Sequence, residues 1–227
     1  MRLATLLLAT AASMAAADAR AGSLYLAGIG GAYTVPVTSL KEARFLSTLR
    51  QQYDFSCGSA ALATLLAYHY GYAVNEQAVF REMFAHGDRQ KIRREGFSLL
   101  DMKRYLEAHG FAADGFLQPL DKLAAAHLPA IVLINDKGYH HFVVIKGIRD
   151  DRVLVGDPTK GTRSLARRDF EAIWVNRLLF VIHNHQEQAR FNHAVDWNAA
   201  PHAPLNDGLR RDGIDLINLP KLGISDF

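Results

Sequence analysis

The chain has 227 residues, 49% of them hydrophobic and 22% charged, enough to bury one full core. Setting aside Arg2, Arg20 and Asp18 in the apolar leader leaves 24 basic and 22 acidic residues, a balance with no electrostatic footprint for nucleic acid. Charge therefore names no partner.

Met1 to Ala21 carries Arg2, the apolar run Leu3 to Ala17 and the small-x-small site Ala19-Arg20-Ala21, the layout of a secretory signal peptide cut after Ala21. The expectation is an exported protein, periplasmic or secreted. No later run approaches the roughly 20 apolar residues of a spanning helix. Gly22 to Val37 is apolar and glycine-rich and reads as an extended arm. Ser39-Leu40-Lys41-Glu42 has the pattern of a capping box and opens a short helix to about Leu49.

Gln51 to Leu62 holds the single cysteine, Cys57, at the start of a small-residue helix predicted over Ser59–Tyr70. A lone cysteine in an oxidising compartment has no internal partner and points to a free reactive thiol. At a helix N-terminus, unpaired N–H groups and the helix dipole favour thiolate. Gly58 reads as leaving that thiol sterically open. Asn75 caps a second helix through Phe84, and Ser98 with Asp101 caps a third ending at Gly110. Between them, His86 to Gly96 reads as a polar, basic loop. The apolar residues between Val79 and Tyr105 offer a groove for a substrate helix.

Beyond Gly110, the runs Pro129–Asn135, His140–Ile148, Arg152–Val155 and Leu178–His183 have strand character, with a helix at Arg167–Trp174 between the last two. Short turns make successive strands antiparallel. The fold class is α+β, with N-terminal helices packed on an antiparallel β-sheet. From His185 the chain reads as a polar wrapping tail, partly disordered.

Nucleophilic Cys57 needs a base, and of ten histidines His141 is best placed, opening the apolar strand His141-Phe142-Val143-Val144. His140 points to the opposite face. Asp157, in Gly156-Asp157-Pro158 at the end of the next strand, is positioned to orient the imidazole. Gln51 or Gln52 can add a side-chain donor for the oxyanion beside the Cys57 N–H. His183, His185 and His193 lack metal-ligand spacing, so no metal or cofactor is expected.

These residues, Gln51-x5-Cys57-Gly58, Ser59-Ala60-Ala61-Leu62, His141-Phe142-Val143-Val144 and Gly156-Asp157-Pro158, resemble peptidase family C39, the papain-like cysteine peptidases of double-glycine leaders. The resemblance covers residues 51–184 and implies a papain-like fold, Cys57 as nucleophile, His141 as general base and acid, Asp157 as orienter and Gln51 in the oxyanion hole. Ser56 departs from the aspartate that often precedes the cysteine. The signal peptide departs from members fused to exporters and resembles stand-alone exported members, some of which accompany amyloid or biofilm secretion. The resulting layout is a signal peptide (1–21), an arm and short helix (22–50), a C39-like peptidase domain (51–184) and a tail (185–227). The implied function is an exported cysteine endopeptidase acting on a secreted or leader-bearing polypeptide, with Gly-Gly as the implied cut and a secretion-system component as a further partner. The alternative is a non-catalytic leader-binding or chaperone module.

Overall fold

The structure, a computed structural model, describes residues 23–26, 33–36 and 38–200, in two units that separate after Glu42. The predicted signal peptide (1–21) and residues 201–227 lie outside the described residues. In the first unit, β1 (Ser23–Leu26) and β2 (Tyr33–Pro36) pair as an antiparallel hairpin, so the extended arm is a folded-back one. The capping box forms as predicted, with Ser39 N–H donating to Glu42 Oε2 at 3.0 Å and Glu42 N–H to Ser39 Oγ at 3.2 Å. Helix α1 spans only Leu40–Ala43, short of the predicted Leu49. Beyond it, the Arg44 carbonyl accepts the Thr162 N–H at 2.7 Å and the Ser47 carbonyl accepts from Lys146, so tertiary bonds replace helical ones.

In the second unit, α2 (Cys57–Thr64) is buried along its whole length and runs into a wider π turn at Leu65–His69. Alanines on this helix let neighbours approach on every side. Helix α3 (Glu76–His86) starts where Asn75 accepts the Ala78 N–H at 2.8 Å. The basic stretch read as a loop is instead helix α4 (Arg89–Glu95): Asp88 caps the N–H groups of Gln90 and Lys91, and Ile92 anchors the turn in the core. Helix α5 (Leu99–Ala108) carries the predicted Ser98–Asp101 capping box.

The sheet comprises β3 (Ala113–Leu117), β4 (Ala130–Asp136), β5 (Tyr139–Arg149), β6 (Arg152–Asp157), β7 (Gly161–Ala166) and β8 (Leu178–Ile182). The six strands run in the order β3-β8-β4-β5-β6-β7, and every pairing is antiparallel. Phe142 and Val144 of β5 face the core made with α2, α3 and α5. Val143 and Ile145 face a second core closed by α6 (Leu120–Ala126) and α7 (Arg167–Ile173). Strands β3 and β7 and helix α6 were not predicted. Gly161-Thr162-Arg163-Ser164 is polar because β7 lies at the sheet edge, which removes the apolar signature of a strand.

Among the described residues, the predicted tail is folded: a 3₁₀ turn at Gln186–Gln188 leads to α8 (Ala194–Ala199). Among the described residues, no helix is long and apolar enough to cross a membrane.

Candidate active site

Three segments converge at the N-terminus of α2. Loop 51–56 leads into the cysteine, β5 supplies the histidine, and the end of β6 supplies the aspartate. The loop is fastened at one end by the Gln51 N–H, which donates to the Pro158 carbonyl at 3.2 Å. At the other end Ser56 is fully buried, its Oγ accepting the Tyr53 N–H at 3.1 Å and donating to the Tyr53 carbonyl at 3.0 Å. Serine in place of aspartate thus closes the turn by itself. Ser59 Oγ braces the helix start, lying 2.9 Å from the Ser56 carbonyl and 3.0 Å from Glu76 Oε1.

Cys57 is 7% exposed. Burial pushes its thiol up, the N–H groups of Phe142, Gly58 and Cys57 itself pull it down without cancelling this, and the charge of Asp157 adds to the rise. Burial thus opposes the thiolate that the helix N-terminus favours, and a base beside the thiol would offset that cost. Gly58 also serves a different purpose from the one predicted. A Cβ there would lie 2.9 Å from both Met102 Cε and Phe97 Cβ, so the glycine lets α2 seat against α5 and the Phe97 loop.

His141 is buried while His140 is exposed, as strand alternation predicts. His141 Nε2 lies 3.2 Å from Asp157 Oδ2, with side-chain exposures of 1% and 0%. As the carboxylate can only accept, Nε2 carries the proton and Nδ1 presents a lone pair. Nδ1 is buried and makes no hydrogen bond. The thiol sits by the Phe142 N–H, one residue along the strand, and no hydrogen bond joins Cys57 to His141.

Asp157 is saturated with donors. Its Oδ1 accepts the Thr159 N–H at 2.9 Å, the Thr159 hydroxyl at 2.7 Å and the Lys160 N–H at 3.3 Å, while Oδ2 also meets Arg163 Nη2 at 3.0 Å. Burial alone would raise its pKa, but the hydrogen bonds from His141 and Thr159 outweigh that and hold the carboxyl well below the usual range.

Gln51 Nε2 donates to the carbonyls of Tyr53 at 3.0 Å and Asp54 at 3.4 Å, and its Oε1 is buried without a partner. The amide is thus held at the loop, with the weaker Asp54 contact leaving one hydrogen to redirect. Gln52 is exposed and makes no side-chain hydrogen bond among the described residues. Tyr139, unpredicted, stacks on His141 with centroids 5.0 Å apart and donates its hydroxyl to the Asp54 carbonyl at 3.0 Å. The i, i+2 spacing from His141 was the signal for it. Arg163 carried no signal once β7 was missed.

The predicted substrate groove does not exist as drawn. Val79, Met83, Met102 and Tyr105 are core residues. What opens between α3 and α5 is a cavity of about 280 Å³ lined by Glu82, Met83, His86, Arg104, Tyr105 and Ala108. Among the described residues, no cluster of three or more His, Cys, Asp or Glu could hold a metal ion. His183 instead lies 2.9 Å from Asp114 Oδ2.

A lone thiol at a helix N-terminus, facing a sheet that presents a histidine oriented by a buried aspartate, defines a cysteine-dependent hydrolase. The chain matches the Peptidase C39 family over residues 46–186 and belongs to it. It is a peptidase. It is 40% identical over 184 residues to the probable functional amyloid protease FapD of Pseudomonas fluorescens, covering 80% of each chain. It is 43% identical over 153 residues to that of Pseudomonas aeruginosa, covering 67% of each. Among solved structures, it is similar to a double glycine motif protease from an AMS/PCAT transporter in complex with the leader peptide, with 25% identity, TM-score 0.49 and coverage of 60% of this chain and 90% of that one.

Proposed function

We propose that the protein is an exported cysteine endopeptidase that cuts a secreted polypeptide through an acyl-enzyme on Cys57. The observation that carries this reading is the buried His141–Asp157 pair at 3.2 Å, which leaves His141 Nδ1 without a partner. On substrate binding, Nδ1 takes the thiol proton and Sγ attacks the scissile carbonyl carbon. The oxyanion is held by the Cys57 N–H and the Gln51 amide. Collapse breaks the C–N bond as His141 returns its proton to the leaving amine. Water, deprotonated by the same histidine, then hydrolyses the thioester.

The substrate reading rests on the relatives, both named as functional amyloid proteases. An exported amyloid-forming polypeptide, or a partner secreted with it, is the corresponding substrate class here, with Gly-Gly before the cut. Export rests on the predicted signal segment. The test is to incubate purified protein with a polypeptide carrying a Gly-Gly site and its upstream segment, then map products by mass spectrometry. Wild type is expected to yield one new C-terminus after the second glycine, and Cys57→Ala none. Equal processing by both removes the reading.

A further inference from the structure

Lys146 lies on β5, on the sheet face of Phe142 and Val144, and its side chain is 0% exposed. A buried ammonium is strongly unfavourable unless paired and fully hydrogen-bonded. Its Nζ donates to the Ser47 carbonyl at 2.8 Å and the Ser47 hydroxyl at 2.7 Å, with the Thr162 hydroxyl at 3.4 Å. Among the described residues its one carboxylate partner is Asp196, at 2.6 Å. Asp196 belongs to α8, beyond residue 186 where the family match ends.

The segment carrying Asp196 is fastened at two further places. The Arg190 N–H donates to the His69 carbonyl at 2.8 Å, and His69 Nδ1 donates back to the Arg190 carbonyl at 2.6 Å. The Asn192 N–H meets the Lys146 carbonyl at 3.0 Å and its side-chain amide donates to the Ile148 carbonyl at 2.8 Å. Asn192 fills the irregularity in β5 at Gly147, where a Cβ would fall 2.3 Å from Asn192 Oδ1. On its other side Lys146 supports the active site. Ser47 leads to Gln51, Thr48 Oγ1 bonds Thr162 Oγ1 at 2.7 Å, and a Cβ on Gly156 would lie 2.9 Å from Thr48 Oγ1 and 3.1 Å from Lys146 Cδ. Gly156 directly precedes Asp157.

We infer that residues 190–199 are a built-in clamp, in which Asp196 neutralises Lys146 and thereby holds the Ser47–Gln51 segment and the Asp157 turn in register for catalysis. Lys146 and Asp196 are positioning residues, and the segment that carries Asp196 lies outside the family match. The inference rests on the reading of Cys57 as nucleophile with Gln51 as oxyanion donor.

Two probes on the full chain test it. Iodoacetamide needs only the thiolate, whereas a Gly-Gly acyloxymethyl ketone also needs a donor for its carbonyl oxygen. Asp196→Ala is expected to lower the ketone rate at least tenfold relative to the iodoacetamide rate. Asp196→Asn should lower it less, because the amide oxygen still accepts from Lys146. Lys146→Met should match Asp196→Ala, since it too frees Ser47, leaving the Asp196 carboxylate instead of the Lys146 ammonium unpaired. If Asp196→Ala does not fold, the other two variants carry the comparison. Folded variants that keep the wild-type ratio overturn the clamp. A wild type that does not react with the ketone overturns the peptidase reading, and the clamp with it.

Discussion

Asp157 Oδ2 receives His141 Nε2 at 3.2 Å and Arg163 Nη2 at 3.0 Å, so one buried carboxylate oxygen joins the His141 imidazole to a permanent cation. Every neighbour of this carboxylate is a donor. Asparagine would turn an NH₂ toward either the Thr159 pair or the His141–Arg163 pair, and one set of donors would meet another. Asp157→Asn should therefore lower peptidase turnover at least about a hundredfold, with a retained Cys57 thiol count. Turnover within about twofold of wild type would show that His141 needs no carboxylate.

Gly58 is fixed by packing. Adding one methyl group, in Gly58→Ala, drives Cβ into Phe97 and Met102 at 2.9 Å. The expected cost is about 1–3 kcal/mol in urea unfolding, the range for overpacking a tight core. A midpoint equal to wild type would mean that the α2–α5 contact is loose.

Acid should unfold the protein earlier than exposed carboxylates alone would require. Burial, then the charge of Lys146, lowers His69 to about 4, against about 6.5 in an unfolded chain. A folded pKa below the unfolded one means that the unfolded chain takes up the proton first. The stability from neutral His69 is complete above about pH 6.5 and is lost as pH falls toward about 4. Asp157, also held low, adds a second loss below about pH 3.9. The urea midpoint should fall between about pH 7 and about pH 5, and His69→Asn, which keeps a donor for the Arg190 carbonyl, should flatten that slope. A wild-type midpoint constant over that window would contradict a neutral buried His69.

The sequence carried the residues of the site well because each has a local signature. Cys57 is unique, His141 opens an apolar strand with the right parity, and Asp157 sits before a proline at a strand end. The caps at Asn75 and Ser98 were legible for the same reason: they act over three or four residues. What escaped depends on distant pairings. Strand β7 is too polar to read as a strand, so Arg163 was invisible as a partner of Asp157. The structured stretch 185–200 looked like a tail because its anchor is a lysine buried on another strand. The thiol's raised pKa depends on how deeply α2 is buried, which its few charged neighbours in sequence do not reveal.

Gln51 and Gln52 should separate cleanly. Gln51 is tied to the loop carbonyls and Gln52 is exposed. Gln51→Ala should lower the acylation rate by about a hundred- to a thousandfold, as for loss of one oxyanion donor, while Gln52→Ala stays within about twofold. The reverse ranking, measured in single-turnover cleavage, would move the donor to Gln52.

The proposed mechanism has His141, and not its neighbour, activate Cys57. It is tested most directly by the rate at which iodoacetamide alkylates Cys57 near pH 7, followed by intact mass, in wild type, His141→Ala and His140→Ala. Burial opposes the thiolate, so His141→Ala should slow alkylation by at least about tenfold, within the range ascribed to a positioned base, and His140→Ala should leave it unchanged. Equal rates in all three proteins would contradict the account.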